Sequence, residues 1–148
     1  MALRNLRYEG DEILRKKSKE VSVVDDRIRS LLNDMVETMY ANDGVGLAAP
    51  QVGILKRAVV IDVEDGNVYK MVNPKIISKS GEQVAQEGCL SVPETKGIVR
   101  RPMNVTVEYT DENGKQVKLD AEDLLARCIC HEIDHLDGIL FVDRVKNK

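Results

Sequence analysis

The sequence predicts an α+β fold, because short strand-like runs are enclosed between two amphipathic helical segments. The first helical pattern lies within residues 26–41 and the second within residues 120–136. Between them, β-branched and apolar runs are separated by turn residues rather than by further helices. We therefore expect antiparallel or mixed β-sheets packed around a C-terminal helix, with a second helix near the N-terminus.

The N-terminal helix is predicted over residues 26–41 by apolar side chains that recur every three or four positions. These side chains are Ile28, Leu31, Leu32, Met35, Val36 and Met39. Either Asp25 or Asp26 can cap the first turn, because a carboxylate accepts hydrogen bonds from the free N–H groups there. The turn-forming residues 42–44 end the helix.

The middle of the chain contains five strand-like runs. In chain order they cover residues 58–63, 68–72, 76–78, 104–110 and 116–119. Asp65-Gly66 is predicted to turn between the first two runs, and residues 111–114 are predicted to close a hairpin between the last two.

The C-terminal helix is predicted to begin near Asp120, which can cap it, and to continue to about Leu136. Gly138 provides the stop signal. With 148 residues and no visible linker or internal repeat, we expect residues 1–148 to form a single domain.

Near the end of this helix, residues 131–135 read His-Glu-Ile-Asp-His. Residues four apart lie on the same face of a helix, so His131 and His135 can bind one divalent ion. Glu132 then lies beside the ion without binding it, where a general base is needed to activate water. The helix is therefore predicted to be a metal-binding helix. A pair of structural histidines is the alternative interpretation.

Catalytic sites of this kind usually have three protein ligands, and the third must come from outside the motif. Downstream of His135 the chain offers only two aspartates, so we look upstream, among three cysteines. Cys128 is seven residues from His135, about 10.5 Å along a helix, and cannot share an ion with both histidines. Cys130 is turned about 100° away from His131. Core packing is expected for both cysteines.

The remaining cysteine, Cys89, lies in the sequence Gln-Glu-Gly-Cys-Leu-Ser-Val-Pro at 86–93. Gly88 permits close backbone approach and Pro93 interrupts a strand, so we expect a ligand loop here. A thiolate beside two imidazoles suits iron(II), zinc, cobalt or nickel better than magnesium or calcium. The alternative is that Cys89 is an ordinary buried cysteine.

A third motif, Gly-Val-Gly-Leu-Ala-Ala-Pro-Gln at 44–51, directly follows the first predicted helix. Its small residues let the backbone approach a ligand closely, and Gln51 supplies one side-chain donor. A phosphate-binding loop is a weaker interpretation, because such a loop follows a strand and ends in Lys-Ser or Lys-Thr.

Together the three motifs resemble those of bacterial-type peptide deformylases, and the resemblance extends from Arg7 to Phe141. In the order of that family they are Gly44-x-Gly46-x-Ala48-Ala49-x-Gln51, Glu87-Gly88-Cys89-x-Ser91 and His131-Glu132-x-x-His135. The resemblance implies a metal-dependent hydrolase that removes the formyl group from the N-terminal formylmethionine of newly made polypeptides and releases formate.

The resemblance also assigns the parts of such a site. Cys89, His131 and His135 would hold one divalent metal ion, which we expect to be Fe2+, with Zn2+, Ni2+ or Co2+ as ions that purified protein can hold. Glu132 would be the general base.

The side-chain amide of Gln51 and the backbone N–H of Leu90 would stabilise charge on the carbonyl oxygen. An extended peptide is expected to add to a sheet edge near Val45 and Gly46.

Leu124 and Cys128 would line the pocket for the methionine side chain. Glu87 is expected beside the substrate and can form an ion pair with Arg101, with a solvated surface pair as the alternative.

Two other functions remain open. An HExxH-type metallopeptidase would need a wider cleft and a downstream ligand, and a non-catalytic metal-binding module would need a fourth ligand.

The composition of the chain argues against nucleic-acid and membrane partners. The chain is 43% hydrophobic with a net charge of −3, which gives no electrostatic footprint for nucleic acid, and no apolar run approaches the roughly 18 residues of a membrane helix. The odd number of cysteines and the charged N-terminus favour a cytoplasmic location. We expect a monomer that acts on N-formylmethionyl nascent peptides and makes transient contact with the ribosome.

Overall fold

The computed structural model describes residues 2–145, which form two helices and seven strands. The helices are α1 (Asp26–Ala41) and α2 (Asp123–Leu136). The strands are β1 (Gly46–Ala48), β2 (Ala58–Ile61), β3 (Tyr69–Ser80), β4 (Gln83–Cys89), β5 (Val92–Arg101), β6 (Asn104–Thr110) and β7 (Gln116–Glu122).

The strands form two antiparallel sheets, and the α+β class predicted from the sequence is confirmed. One sheet has five strands in the order β1-β2-β3-β6-β7, and the other is the two-stranded hairpin β4-β5. No helix within residues 2–145 is long and apolar enough to cross a membrane.

Helix α1 has the predicted bounds. The Asp25 carboxylate accepts from the backbone N–H of Ile28 at 3.0 Å, so Asp25 rather than Asp26 is the cap. At the other end Asn42 follows the last turn, and Asp43 adopts the left-handed conformation with φ 57°. The apolar face of α1 packs on β1 and β2, and β1 carries part of the first motif into the core.

Strand β3 corrects the prediction of two separate strands at 68–72 and 76–78. It is one strand with an irregular register between Val72 and Lys75, where Asn73 has φ 52°. The Asn73 side chain accepts from the N–H of Val21 and donates to its C=O, both at 2.8 Å. The residues Asn73-Pro74 therefore bend the strand without ending it.

The start of α2 also differs from the prediction. Strand β7 continues to Glu122, three residues beyond the predicted end, and Asp120 lies within it opposite Thr106. The Asp120 carboxylate accepts from the Thr106 hydroxyl at 2.6 Å, so it caps no helix. The predicted C-terminal end at Leu136 is confirmed.

The hairpin β4-β5 replaces the loop predicted around Cys89. Cys89 is the last residue of β4, two residues turn the chain, and Pro93 lies inside β5. Proline is tolerated there because the pairing is irregular between the Cys89–Val92 and Glu87–Gly97 pairs. Pro93 therefore lies where the pairing is interrupted, although the strand itself continues, which corrects the prediction that it interrupts a strand.

Helix α2 packs its apolar face on the five-stranded sheet, where Ala126 and Ile129 are fully buried. The hairpin β4-β5 lies against another side of the same helix and brings the end of β4 beside the two histidines. A separate apolar cluster joins Leu14 near the N-terminus to β5 and to Phe141. These contacts enclose the region in which the three motifs meet.

Candidate active site

Helix α2 presents His131 and His135 side by side toward the hairpin. His131 is 8% exposed and His135 is 1% exposed, and their ring centroids are 5.0 Å apart. The four-residue spacing predicted this shared face. The fold itself thus shields both imidazoles from water.

Cys89 reaches the same point from the end of β4. Its Sγ lies 3.3 Å from His135 Nε2, and ligand atoms of Cys89, His131 and His135 all lie within 4.8 Å of one another. The backbone N–H of Ser91 (3.4 Å) and the Gln51 amide (3.5 Å) donate to this sulfur and hold it in place. Sulfur and two imidazole nitrogens form a donor set that fits a divalent transition metal.

The electrostatics of the two imidazoles differ. Burial by itself would lower the pKa of His131, but its hydrogen bond with Cys89, the charge of Glu132 and its hydrogen bond with Glu87 raise this pKa to about 10. Burial lowers the pKa of His135 well below its usual value. Glu132 and Glu87 therefore favour positive charge at the position that a metal ion would take. The His135 imidazole stays neutral and can coordinate the ion.

Glu132 lines the same cavity and is 4% exposed. Burial raises its pKa to about 7, although the nearby His131 opposes the shift. Its Oε1 is buried and has no hydrogen-bond partner among residues 2–145, which suits a group that receives a proton from a ligand. Gly46 faces the carboxylate so closely that a Cβ there would lie 2.5 Å from Glu132 Oε2.

Gln51 joins the first and second motifs. It lies in the 3₁₀ turn Ala49–Val52, where its Oε1 accepts from the N–H of Ala48 at 2.9 Å and its Nε2 donates to Ser91 Oγ at 3.0 Å. The N-terminal segment supports this link, because its backbone donates to the carbonyl of Gln51 and to that of Ser91, both at 2.7 Å. The amide is therefore held in place before substrate binds.

A cavity of about 160 Å³ opens at these groups. It is lined by Gly46, Gln51, Gln86, Glu87, Gly88, Cys89, Leu90, Leu124, Arg127, Cys128, His131 and Glu132. A larger groove of about 510 Å³ crosses β3, β6 and β7, but its lining contains no residue of the three motifs. The chemistry therefore favours the smaller cavity as the candidate site.

Two of the predicted site residues lie outside this lining. His135 is buried behind it. Val45 is 46% exposed beside β1, and its carbonyl accepts from the N–H of Asp62 at 2.9 Å, so this carbonyl already pairs within the protein. Gly46, rather than Val45, brings the edge of β1 into the cavity.

Glu87 and Arg101 form a buried pair rather than a solvated one. Arg101 donates to both Glu87 oxygens at 2.9 Å, and His131 Nδ1 lies 2.9 Å from Glu87 Oε1. Burial alone would raise the pKa of Glu87, but the hydrogen bonds from His131 and Arg101 lower it to about 2. The carboxylate is thus charged and orients the His131 ring, leaving Nε2 for the cavity side.

Sequence reasoning missed two buried charged residues around this pair, Arg127 and Asp134. Arg127 contacts Glu87, while Asp134 accepts from Arg101 at 2.6 Å and from Arg144 at 2.6 Å. A charged residue on the buried face of an amphipathic helix was the available signal for Arg127.

The chain is similar to known proteins over nearly all of its length. A family model described as polypeptide deformylase matches residues 3–148. The peptide deformylase of Acetivibrio thermocellus is 58% identical over 145 residues, which cover 98% of this chain and 85% of that protein. Peptide deformylase 1 of Clostridium acetobutylicum is 57% identical, with 98% of this chain and 96% of that protein covered.

Solved structures agree with these similarities. The peptide deformylase of Thermotoga maritima has a TM-score of 0.94 at 41% identity, covering 97% of this chain and 98% of that one. The enzyme of Synechococcus elongatus, solved in complex with actinonin, has a TM-score of 0.94 at 51% identity, and the match covers 98% of this chain and 80% of that one. On this similarity of sequence and fold, the chain belongs to the polypeptide deformylase family.

Proposed function

We propose that the chain performs the reaction of its family with one divalent metal ion held by Cys89, His131 and His135. As a deformylase it hydrolyses a linear amide, removing the formyl group from an N-terminal formylmethionine and releasing formate. One observation carries the proposal. Three ligand atoms lie within 4.8 Å of one another, and Glu132, whose Oε1 has no hydrogen-bond partner within residues 2–145, lines the adjoining cavity.

The donor set fits such an ion. A divalent ion bound there would lower the pKa of a water molecule and polarise the formyl carbonyl. Fe2+ is our proposed native ion, and the same donors suit Zn2+, Ni2+ and Co2+. Three protein ligands leave a position open for substrate, as catalytic sites require.

The protein's own groups move the proton and bind the oxygen. Glu132 takes a proton from water as water attacks the formyl carbon, and then gives this proton to the leaving amine. Gln51 and Leu90 lie on the same cavity, where the side-chain amide and the backbone N–H respectively would donate to the carbonyl oxygen as negative charge develops. A pKa near 7 allows Glu132 both to accept a proton and to donate it at neutral pH.

Substrate binding would use main-chain pairing and one apolar pocket. The edge of β1 at Gly46 is available to an extended peptide, with Val45 beside it, while Leu124 and Cys128 on α2 would contact the methionine side chain. Backbone pairing accepts any following sequence, which an enzyme acting on many nascent chains requires.

The family similarity does not favour the alternative of an HExxH-type metallopeptidase. We further propose that residues 1–148 form one catalytic domain and that the enzyme acts as a cytoplasmic monomer in transient contact with the ribosome. The proposal includes no nucleic-acid or membrane partner.

The test is metal analysis of protein purified without oxygen, combined with a formate-release assay on formyl-Met-Ala. We expect about one equivalent of a divalent transition metal, formate release, and no cleavage of an internal peptide bond in a peptidase control. Formate release that persists after complete metal removal would refute the metal-dependent mechanism.

A further inference from the structure

Arg127 is a buried arginine on the cavity side of α2, one turn before His131. It is 5% exposed and lines the candidate site together with Leu124 and Cys128. A buried guanidinium is costly unless its donors are paired, so its contacts indicate its role.

Each nitrogen of the Arg127 guanidinium is engaged by the hairpin β4-β5. Nη1 donates to Glu87 Oε2, Nε donates to Gln83 Oε1 at 3.2 Å, and Nη2 donates to the Val99 carbonyl at 3.1 Å. Glu87 and Gln83 belong to β4 and Val99 belongs to β5, so one side chain ties the helix to both strands. With one hydrogen bond from each of its three nitrogens made to the hairpin, Arg127 is placed to support the site rather than to bind substrate.

The contact with Glu87 leads directly to His131. Glu87 accepts from Arg127 at Oε2, while its Oε1 lies 2.9 Å from His131 Nδ1. Arg101 donates to both Glu87 oxygens at 2.9 Å and is also shared with Asp134, which it contacts at 2.6 Å. Arg127 adds a second donor to Oε2, the Glu87 oxygen that does not contact His131.

We propose that Arg127 is a positioning residue for deformylation. It holds Glu87 so that Glu87 in turn fixes the His131 ring with Nε2 directed to the metal position. This inference rests on the proposed function, in which His131 is a metal ligand. Outer partners of metal-bound histidines typically change metal affinity or activity by about 10- to 100-fold when they are removed.

The fork geometry of arginine explains the choice of residue. A guanidinium can hold three acceptors in one plane, whereas a lysine ammonium is a point charge that cannot span the same set. We therefore expect Arg127→Met to lose the positioning effect and Arg127→Lys to recover part of it.

The experiment measures Co2+ affinity, the absorption spectrum of the Co2+ protein, kcat and KM for Arg127→Met, Arg127→Lys and wild type. We expect Arg127→Met to raise the Co2+ dissociation constant and lower kcat by about 10- to 100-fold, with KM nearly unchanged. Arg100→Met is the matched control, because Arg100 pairs at the surface with Glu82 and each is about half exposed. The control should behave like wild type.

A double-mutant cycle with Glu87→Gln tests the route of the effect. If Arg127 acts through Glu87, Arg127→Met should change Co2+ affinity far less in the Glu87→Gln background than in wild type. Equal effects in both backgrounds, an unchanged Co2+ affinity, or a raised KM with unchanged kcat would overturn the proposal. If Arg127→Met does not fold, Arg127→Lys takes its place in the cycle.

Failure of the proposed function would look different. Wild-type protein that binds no Co2+ through a thiolate would refute the metal site itself. The coupling between Arg127 and Glu87 would still be measurable as a non-additive change in urea unfolding of the metal-free variants, and additive effects there would overturn the link.

Discussion

At the scale of single residues, the proposed mechanism has Glu132 move a proton rather than hold an ion. Its Oε1 has no partner among the described residues, and its carboxylate lines the cavity. Glu132→Gln keeps the shape of the side chain and removes the base. We expect formate release to fall by about 10² to 10⁴ while metal content stays near that of wild type.

Metal analysis and the formate assay on the same preparation check this expectation. A Glu132→Gln protein that cannot hold metal would make Glu132 a ligand. Nearly full activity in that variant would mean that another group carries the proton.

Gly46 is required by close approach rather than by backbone conformation. An added Cβ would lie 2.5 Å from Glu132 Oε2, so Gly46→Ala must displace the carboxylate. A displacement of about 1 Å can lower a rate by about 10². We expect a loss of kcat of that order with metal retained, measured by formate release.

The control for this prediction is the same substitution in the Glu132→Gln background. Since the carboxylate is absent there, Gly46→Ala should cost much less. An equal loss in both backgrounds would show that Gly46 acts on substrate binding instead.

The three cysteines should respond differently to substitution. Cys89→Ala should abolish metal binding and activity, because it removes one of the three proposed ligands. Cys128→Ala and Cys130→Ser should retain the metal, since these side chains pack in the apolar cluster around α2. Metal content measured on the three variants checks the assignment, which would be wrong if Cys128→Ala emptied the site and Cys89→Ala left it full.

The residues that sequence could predict are those fixed by local spacing or by motif. His131, Glu132 and His135 lie on one helical turn, so their proximity follows from helix geometry. The contacts of Arg127 and Asp134 depend instead on where the hairpin meets α2, which no local pattern encodes.

At the scale of elements, periodicity predicted α1 to the residue because sixteen residues carry a strong apolar pattern and both ends have signals. The hairpin β4-β5 has no comparable pattern. Its inner face carries Glu87 and Arg101, whose burial is possible only because they pair with each other. Because the sequence of these strands contains buried charged residues and Pro93, it lacks the apolar pattern by which a strand is predicted.

The N-terminal 3₁₀ turn Glu12–Arg15 tests how strongly the hairpin is supported. Leu14 in this turn is 1% exposed and packs in the cluster that contains Val99 of β5 and Phe141. Leu14→Ala should lower the free energy of unfolding by about 2 to 5 kcal/mol, the usual cost of such a cavity. Urea denaturation measures this change.

Leu3→Ala is the control, because Leu3 is 65% exposed and its loss should change the free energy of unfolding by no more than about 0.5 kcal/mol. Equal effects at Leu3 and Leu14 would contradict the packing role of the cluster.

At the scale of the whole molecule, the candidate site joins segments far apart in the sequence. Gln51, Cys89 and His135 come from a 3₁₀ turn, a hairpin and a helix, and are brought together by contacts between those elements. The family resemblance could indicate that these three residues lie together, because the family has all three motifs in the same order. Hydrophobic periodicity could not, since it says nothing about which elements touch.

A metal ion bound across this junction should also stabilise the fold. Cys89 lies on β4 and the histidines lie on α2, so an ion bound by the proposed ligands would cross-link the hairpin to the helix in the native state alone. At a free metal concentration of about 1,000 times Kd, binding adds about 4 kcal/mol, which corresponds to roughly 10 °C in Tm for a chain of this size. Chelation should lower the Tm of wild type by about this amount, and added Ni2+ should restore it. Cys89→Ala should show neither change, and an equal response to chelator in this variant would mean that the stabilising ion binds elsewhere.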